Sequence, residues 1–159
     1  MTTIWLRRRI LSPIVDLLRQ GISPEKIALS IALGVTLGVT PVLGSTSILC
    51  LLTAIVLRLN LPSIQLVNYF AYPLQFALLI PFMRLGEWIF SDQPSQITVA
   101  RIVGLIRADV WSAIAILWTA TMHALVAWFA LGSLASLVMY LLLAPTLRKL
   151  ANSLQSESR

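Results

Sequence analysis

The run from Ile27 to Leu57, IALSIALGVTLGVTPVLGSTSILCLLTAIVL, holds no charged residue and is bracketed by Lys26 and Arg58. One membrane-crossing helix needs ~20 apolar residues, and two crossings need ~40 plus a turn. The run is too long for one and too short for two. Its middle, Gly34-x-x-x-Gly38-Val39-Thr40-Pro41-Val42-Leu43-Gly44, is its poorest helix former, because Pro41 lacks an N–H and Gly44 favours a turn. The pattern therefore predicts two half-helices meeting at a broken tip. Non-helical backbone inside a bilayer is tolerated only where protein buries it or a watery cavity reaches it.

Composition places the chain among membrane proteins. It is 58% hydrophobic and only 11% charged over 159 residues, with a mean hydropathy of +0.87. The net charge of +6 does not point to a nucleic-acid partner, because the basic residues are not gathered on a polar face among aromatics. They punctuate hydrophobic runs, where positive flanks set orientation. Cys50 is the only cysteine, which excludes an intrachain disulfide and a clustered zinc motif. A small packing role suits it. Arg7-Arg8-Arg9 is not expected to begin a cleaved signal, because Asp16 and Arg19 interrupt the apolar stretch that follows.

Residues 1–21 form an amphipathic segment, with Leu6, Ile10, Ile14, Leu17 and Leu18 on one side and arginines placed for anionic headgroups. Gly21 stops it, and Ser23-Pro24-Glu25 starts the next helix with a cap, an N1 proline and an acid for the dipole. The first hairpin spans 24–58. Gly34 and Gly38, four apart, clear one helical face for close packing. Gly44-Ser45-Thr46-Ser47 puts hydroxyls at the start of the second half-helix. Such a terminus, with free N–H groups, is a ready anion site, and transporters use broken-helix ends for substrates; the simpler role is that Ser45 caps the helix.

A second charge-free run, Leu59 to Met83, is interrupted by Asn68-Tyr69-Phe70-Ala71-Tyr72-Pro73-Leu74-Gln75. Residues before proline avoid helical angles, so a second hairpin over 61–90 is expected, with one kinked span from Pro62 to Phe82 as the alternative. Two hairpins would leave the turns near residues 41, 72 and 131 free of lysine and arginine and gather every basic cluster on one side. Arg84 and Glu87, three apart, form a possible interfacial ion pair. Residues 97–108 suit a surface helix, and 110–128 and 132–148 suit two spans with Trp111 and Trp128 in aromatic belts. His123 fits a structural hydrogen-bonding role. The tail 151–159 is expected to be flexible.

The expected architecture is thus an all-α integral membrane protein. It comprises two broken, re-entrant hairpins, two transmembrane helices and amphipathic surface helices, with 22–150 as a single membrane domain. The candidate substrate-binding residues are Thr40, Pro41, Gly44, Ser45, Thr46, Asn68, Tyr72, Pro73 and Gln75. No paired carboxylates, metal-ligand cluster or nucleophile set stands at recognisable spacing, so no enzyme, metal or cofactor is expected. Membrane lipids and a homodimer packed through the glycine face are the expected partners.

The ordered features SPEKIA, Gly34-x-x-x-Gly38, Pro41-x-x-Gly44, Leu57-Arg58-Leu59-Asn60 and YPLQFALLIPFMRLGEWIF resemble a bacterial membrane family, the domain of unknown function numbered 2062, over about residues 22–90. This chain departs from the family pattern at Tyr72, where asparagine commonly precedes the second proline, and at Ser45, where a bulkier polar residue often follows the first turn. The resemblance implies a bacterial membrane protein with no assigned reaction; with the positive-inside rule, the expectation is a multi-pass inner-membrane protein with basic termini in the cytoplasm. Relatives joined to glycosyltransferase-like domains imply envelope-biosynthesis enzymes as partners. Two functions follow as expectations: binding or moving a lipid-linked or small polar substrate at the tips, or a non-transporting scaffold for envelope lipid or polysaccharide synthesis.

Overall fold

The computed structural model describes residues 15–16, 22–90, 103–104, 107 and 109–157. Among these lie four long helices: α1 (Pro24–Gly38), α2 (Thr46–Leu57), α3 (Leu61–Phe90) and α4 (Val110–Glu157). The expected amphipathic segment 1–21 and surface helix 97–108 fall largely outside the described residues.

The first break forms where the sequence is weakest. α1 begins at Pro24 behind Ser23, which offers its carbonyl to Ile27 N (3.2 Å) but no side-chain cap. α1 ends as Thr40 N turns back to Leu37 O (3.2 Å), and Gly44 adopts φ +85°, a left-handed angle that only glycine takes at little cost. α2 then returns beside α1 and closes with Leu59 N on Ala54 O (2.9 Å).

The second expected break does not form. Leu61–Phe90 is one helix of 30 residues, ~45 Å long, with Pro73 and Pro81 inside it. A proline costs about 3 kcal/mol in a helix interior, but no glycine stands beside Pro73 to open a turn, as Gly44 does beside Pro41. Both prolines lie on the exposed side of α3. Asn60 caps this helix by accepting from Ser63 N (2.9 Å) and Ser63 Oγ (2.6 Å).

Nor do residues 110–148 divide into two spans. α4 is continuous over 48 residues, ~72 Å, and takes in most of the tail expected to be flexible. Gly132 is not a turn; it lies beneath the Thr36 methyl, where a Cβ would come within 3.0 Å. Thr146 Oγ1 donates to the carbonyls of Leu142 (3.2 Å) and Leu143 (2.7 Å), stitching the helix beside Pro145. α3 and α4 are both long and apolar enough to cross a membrane.

The packing follows from small residues. A Cβ on Gly34 would lie 2.9 Å from Val67 Cβ, and one on Gly38 would lie 2.6 Å from Ala71 Cβ, so α1 and the first half of α3 run side by side in the same direction. The glycine face is thereby used within the chain. α2 packs antiparallel to that half of α3 through Cys50, Ala54 and Ile64. α4 runs antiparallel to α1, with Ala144 and Leu147 against Ile27 and Ala28 and an Arg148–Glu25 ion pair at the end. The second half of α3 continues past the tip along α4, where Phe82 meets Ala124. Trp128, expected in an aromatic belt, instead lies at tip level and donates its Nε1 to Thr36 O (2.9 Å).

Gly86 marks the closest approach of α3 and α4, since a Cβ there would stand 2.5 Å from the His123 carbonyl carbon. Gly86→Ala is expected to lower stability by about 1–3 kcal/mol, whereas Gly104→Ala, with nothing within 4 Å, leaves it unchanged; thermal melting in detergent checks both. Asp109 caps α4 by accepting from Ser112 Oγ (2.5 Å) and Trp111 N (3.0 Å), bonds that hold its carboxyl below the usual range. That contribution is fully present above the ordinary carboxylate pKa of about 4. It is lost as pH falls through the lowered folded value, so amide exchange at residues 110–113 should accelerate there and Asp109→Ala should abolish the pH dependence.

Candidate functional site at the broken-helix tip

Breaking a helix away from water strands backbone groups that need partners. α3 supplies them from one stripe. Gln65, Asn68, Tyr72 and Gln75 recur at intervals of three, four and three, and so share a face of the continuous helix. Gln75, 3% exposed, donates Nε2 to Thr40 O (2.8 Å). Gln65 donates Nε2 to Ser47 O (2.9 Å). Asn68 donates Nδ2 to Gln65 Oε1 (3.3 Å) and Ser47 Oγ (3.4 Å), and the Ser47 and Tyr72 hydroxyls share a bond of 3.3 Å. The stripe straps both sides of the break to α3.

Three polar atoms at this place are left over. Thr40 Oγ1, Thr46 Oγ1 and Asn68 Oδ1 are buried and make no well-formed hydrogen bond among the described residues, although the Thr46 and Asn68 side chains stand beside the Tyr72 hydroxyl. Thr40 and Thr46 are each 1% exposed and Asn68 is 0% exposed. Such atoms cost about 1–3 kcal/mol apiece. The amide orientations are mutually determined. Because Gln65 gives its nitrogen to the Ser47 carbonyl, its oxygen faces Asn68, which must answer with its own nitrogen. Asn68 Oδ1 is thereby turned away, towards Gly38, where a Cβ would come within 3.2 Å of it.

The structure brings Thr40, Thr46, Asn68, Tyr72 and Gln75 together. Pro41 is buried beside them and shapes the turn, while Gly44 stands exposed at its outer edge. Ser45 occupies the N-cap position of α2 but makes no side-chain cap; its Oγ bonds back to Val42 O (2.9 Å). Pro73 lies on the exposed side of α3. Arg84 is exposed and Glu87 buried, beyond the tip. His123 stacks on Phe90 at 4.7 Å. Gln65 and Ser47 are the members that the candidate set lacked, and the four-residue stripe was the signal for Gln65.

Beside the tip, α1 and α4 enclose an apolar groove of about 390 Å³ lined by Leu29, Leu33, Leu37, Phe129, Leu137 and Tyr140, with Thr36 and Trp128 among its walls. The Trp128–Thr36 bond ties this groove to the last turn of α1.

The family model described as "Uncharacterized protein conserved in bacteria (DUF2062)" matches residues 7–153. The chain belongs to that family. The DUF2062 match takes in the tip, the polar stripe and nearly all of α4, well past the 22–90 stretch that carries the recognisable motifs. No curated protein and no solved structure matches the chain.

Two substitutions separate the straps from the leftover atoms. Gln75→Leu removes the donor to a buried carbonyl and is expected to cost about 1–3 kcal/mol, while Thr40→Val removes an unpartnered hydroxyl and is expected to be neutral or stabilising. Paired melting curves of the full chain in detergent distinguish these signs.

Proposed function

We propose that this protein sits in the bacterial inner membrane and binds or translocates a lipid-linked or small polar substrate at the α1–α2 tip. In this reading α3 crosses the bilayer and the hairpin re-enters to about half its depth. α1 has 15 residues and α2 has 12, ~22 and ~18 Å, both short of the ~30 Å hydrocarbon core. Lys26, Arg58, Arg148 and Lys149 gather at one end of the bundle, through the pairing of α1 with α4 and of α2 with α3. The positive-inside rule makes that end cytoplasmic.

The observation that carries the proposal is the set of buried, unpartnered oxygens on Thr40, Thr46 and Asn68. A region that merely packed would gain stability by exchanging them for apolar groups. The neighbouring apolar groove offers a place for hydrocarbon, which suits a lipid-linked substrate whose polar part meets the tip. The scaffold reading draws support from a different observation: Gln65 and Gln75 fasten the hairpin to α3 at both sides of the break. Neither reading requires a reaction at the tip.

Thiol accessibility tests both the placement and the role. With Cys50→Ser as background, single cysteines replace Ser45, Arg58 and Arg84, and a membrane-impermeant reagent is applied to intact cells and to inverted vesicles. Arg58→Cys and Arg84→Cys should react from opposite faces, and Ser45→Cys should react with the water-borne reagent from one of them. Reaction of both arginine positions from one face would rule out α3 as a crossing. Full protection of Ser45→Cys would favour the scaffold.

A further inference from the structure

We propose that the groove between α1 and α4 holds an acyl chain of an anionic glycerophospholipid, with the lipid phosphate on Lys26. This rests on the reading of the groove as a place for hydrocarbon and is separate from what the tip binds.

Leu29, Leu33 and Leu37 of α1 line the groove together with Phe129 and Leu137 of α4. The helical rise from Leu29 to Leu37 makes it ~12 Å long, and its volume of about 390 Å³ lies in the range of small-molecule sites. α1 runs inward from the basic end of the bundle, so a chain in this groove belongs to the leaflet on that side.

The groove also carries donors that nothing in the protein uses. Ser30, Thr119, Thr121 and Thr146 each donate a hydroxyl to a carbonyl one turn earlier. The hydroxyls of Ser133, Ser136 and Tyr140, which line the groove from α4, make no hydrogen bond among the described residues. Their intervals of three and four put them on one side of α4. Tyr140 packs on the cluster of Ile27, Ala28, Ala144 and Leu147, towards the basic end. A hydroxyl there can donate to an acceptor, and the ester carbonyls of a glycerophospholipid are acceptors at the head of each chain. A hydrocarbon joined directly to phosphate has none.

Charge selects the headgroup. Lys26 stands three residues before Leu29 and seven before Leu33, so it continues the α1 wall of the groove by one turn. It is exposed and makes no ion pair among the described residues. The neighbouring Glu25 is engaged by Arg148, and Lys149 follows, so three bases stand against one acid at this end. Such basic sites between membrane helices attract anionic headgroups. A zwitterionic headgroup brings its own cation, which the excess of bases repels.

The test is the melting temperature of the purified full chain in detergent, titrated with phosphatidylglycerol or with phosphatidylcholine of the same acyl chains. Phosphatidylglycerol should raise it saturably by a few degrees, and phosphatidylcholine should do less. Lys26→Gln should weaken the response to phosphatidylglycerol about fivefold in concentration, while melting like wild type without lipid. The double variant Ser136→Ala, Tyr140→Phe should reduce the shift from both lipids and leave the lipid-free melting unchanged. An undiminished phosphatidylglycerol response in either variant would overturn the site. Equal shifts from the two lipids would also overturn it but leave the groove as a place for hydrocarbon; no shift from either would remove both. Ser45→Cys labelling reads the tip separately, so labelling without any lipid shift overturns the lipid site and leaves the tip as a ligand site.

Discussion

The fold depends on how a broken helix satisfies its backbone without water. Pro41 and Gly44 stop α1 and reverse the chain, and the carbonyl of Thr40, beyond the end of α1, is then left inside protein. Gln75 on α3 answers it, and Gln65 adds a bond to the Ser47 carbonyl in the first turn of α2. The rest of the molecule is arranged to bring those glutamines into reach. Gly34 and Gly38 remove side chains so that α1 can lie directly on α3, and Cys50 and Ala54 let α2 do the same from the other side. α4 closes the remaining flank and satisfies one more carbonyl near the end of α1 through Trp128. An unmade bond at any of these carbonyls would cost more than most of the individual apolar contacts that surround it.

The first break was legible because two unfavourable residues coincide there and the charge-free run has an impossible length for whole spans. α1 was legible for a similar reason, with Ser23-Pro24 at its start and the paired glycines on its buried face. The second break was misread because Pro73 was weighed alone. Gln65, Asn68, Tyr72 and Gln75 already stood at helical intervals across it, a pattern that only an unbroken helix turns to one side. Asn60-Leu61-Pro62-Ser63 has the same cap-then-proline form as Ser23-Pro24 and marked the start of α3. The continuity of α4 was hidden for a different reason. Gly132 serves close packing against Thr36, and a single sequence does not distinguish a glycine needed for its angle from one needed for its size.

The candidate site was half legible. Hydroxyls at Thr40 and Thr46 and the amides at Asn68 and Gln75 could be named from their position beside breaks, real or supposed. Their division of labour could not. Gln75 is spent on a backbone carbonyl, whereas Asn68 keeps one oxygen free because Gln65 dictates which way its amide turns. That orientation is a three-body matter among α2 and two turns of α3, and it exists only once the helices are packed.

The two arms of the hairpin are unequal partners. α1 buries Ile27, Ala28, Ser30, Ala32, Gly34, Thr36 and Gly38 between α3 and α4, while α2 buries only Thr46, Cys50 and Ala54 and turns Ile48, Leu52, Ile55 and Val56 outward. Interlocked glycines leave α1 no freedom to slide past α3 without collision. α2 meets α3 through the small buried cluster of Cys50, Ala54 and Ile64 and the bonds around Ser47. The molecule thus joins a deeply packed set of α1, α3 and α4 to a less buried arm, α2, with Gly44 at the turn between them.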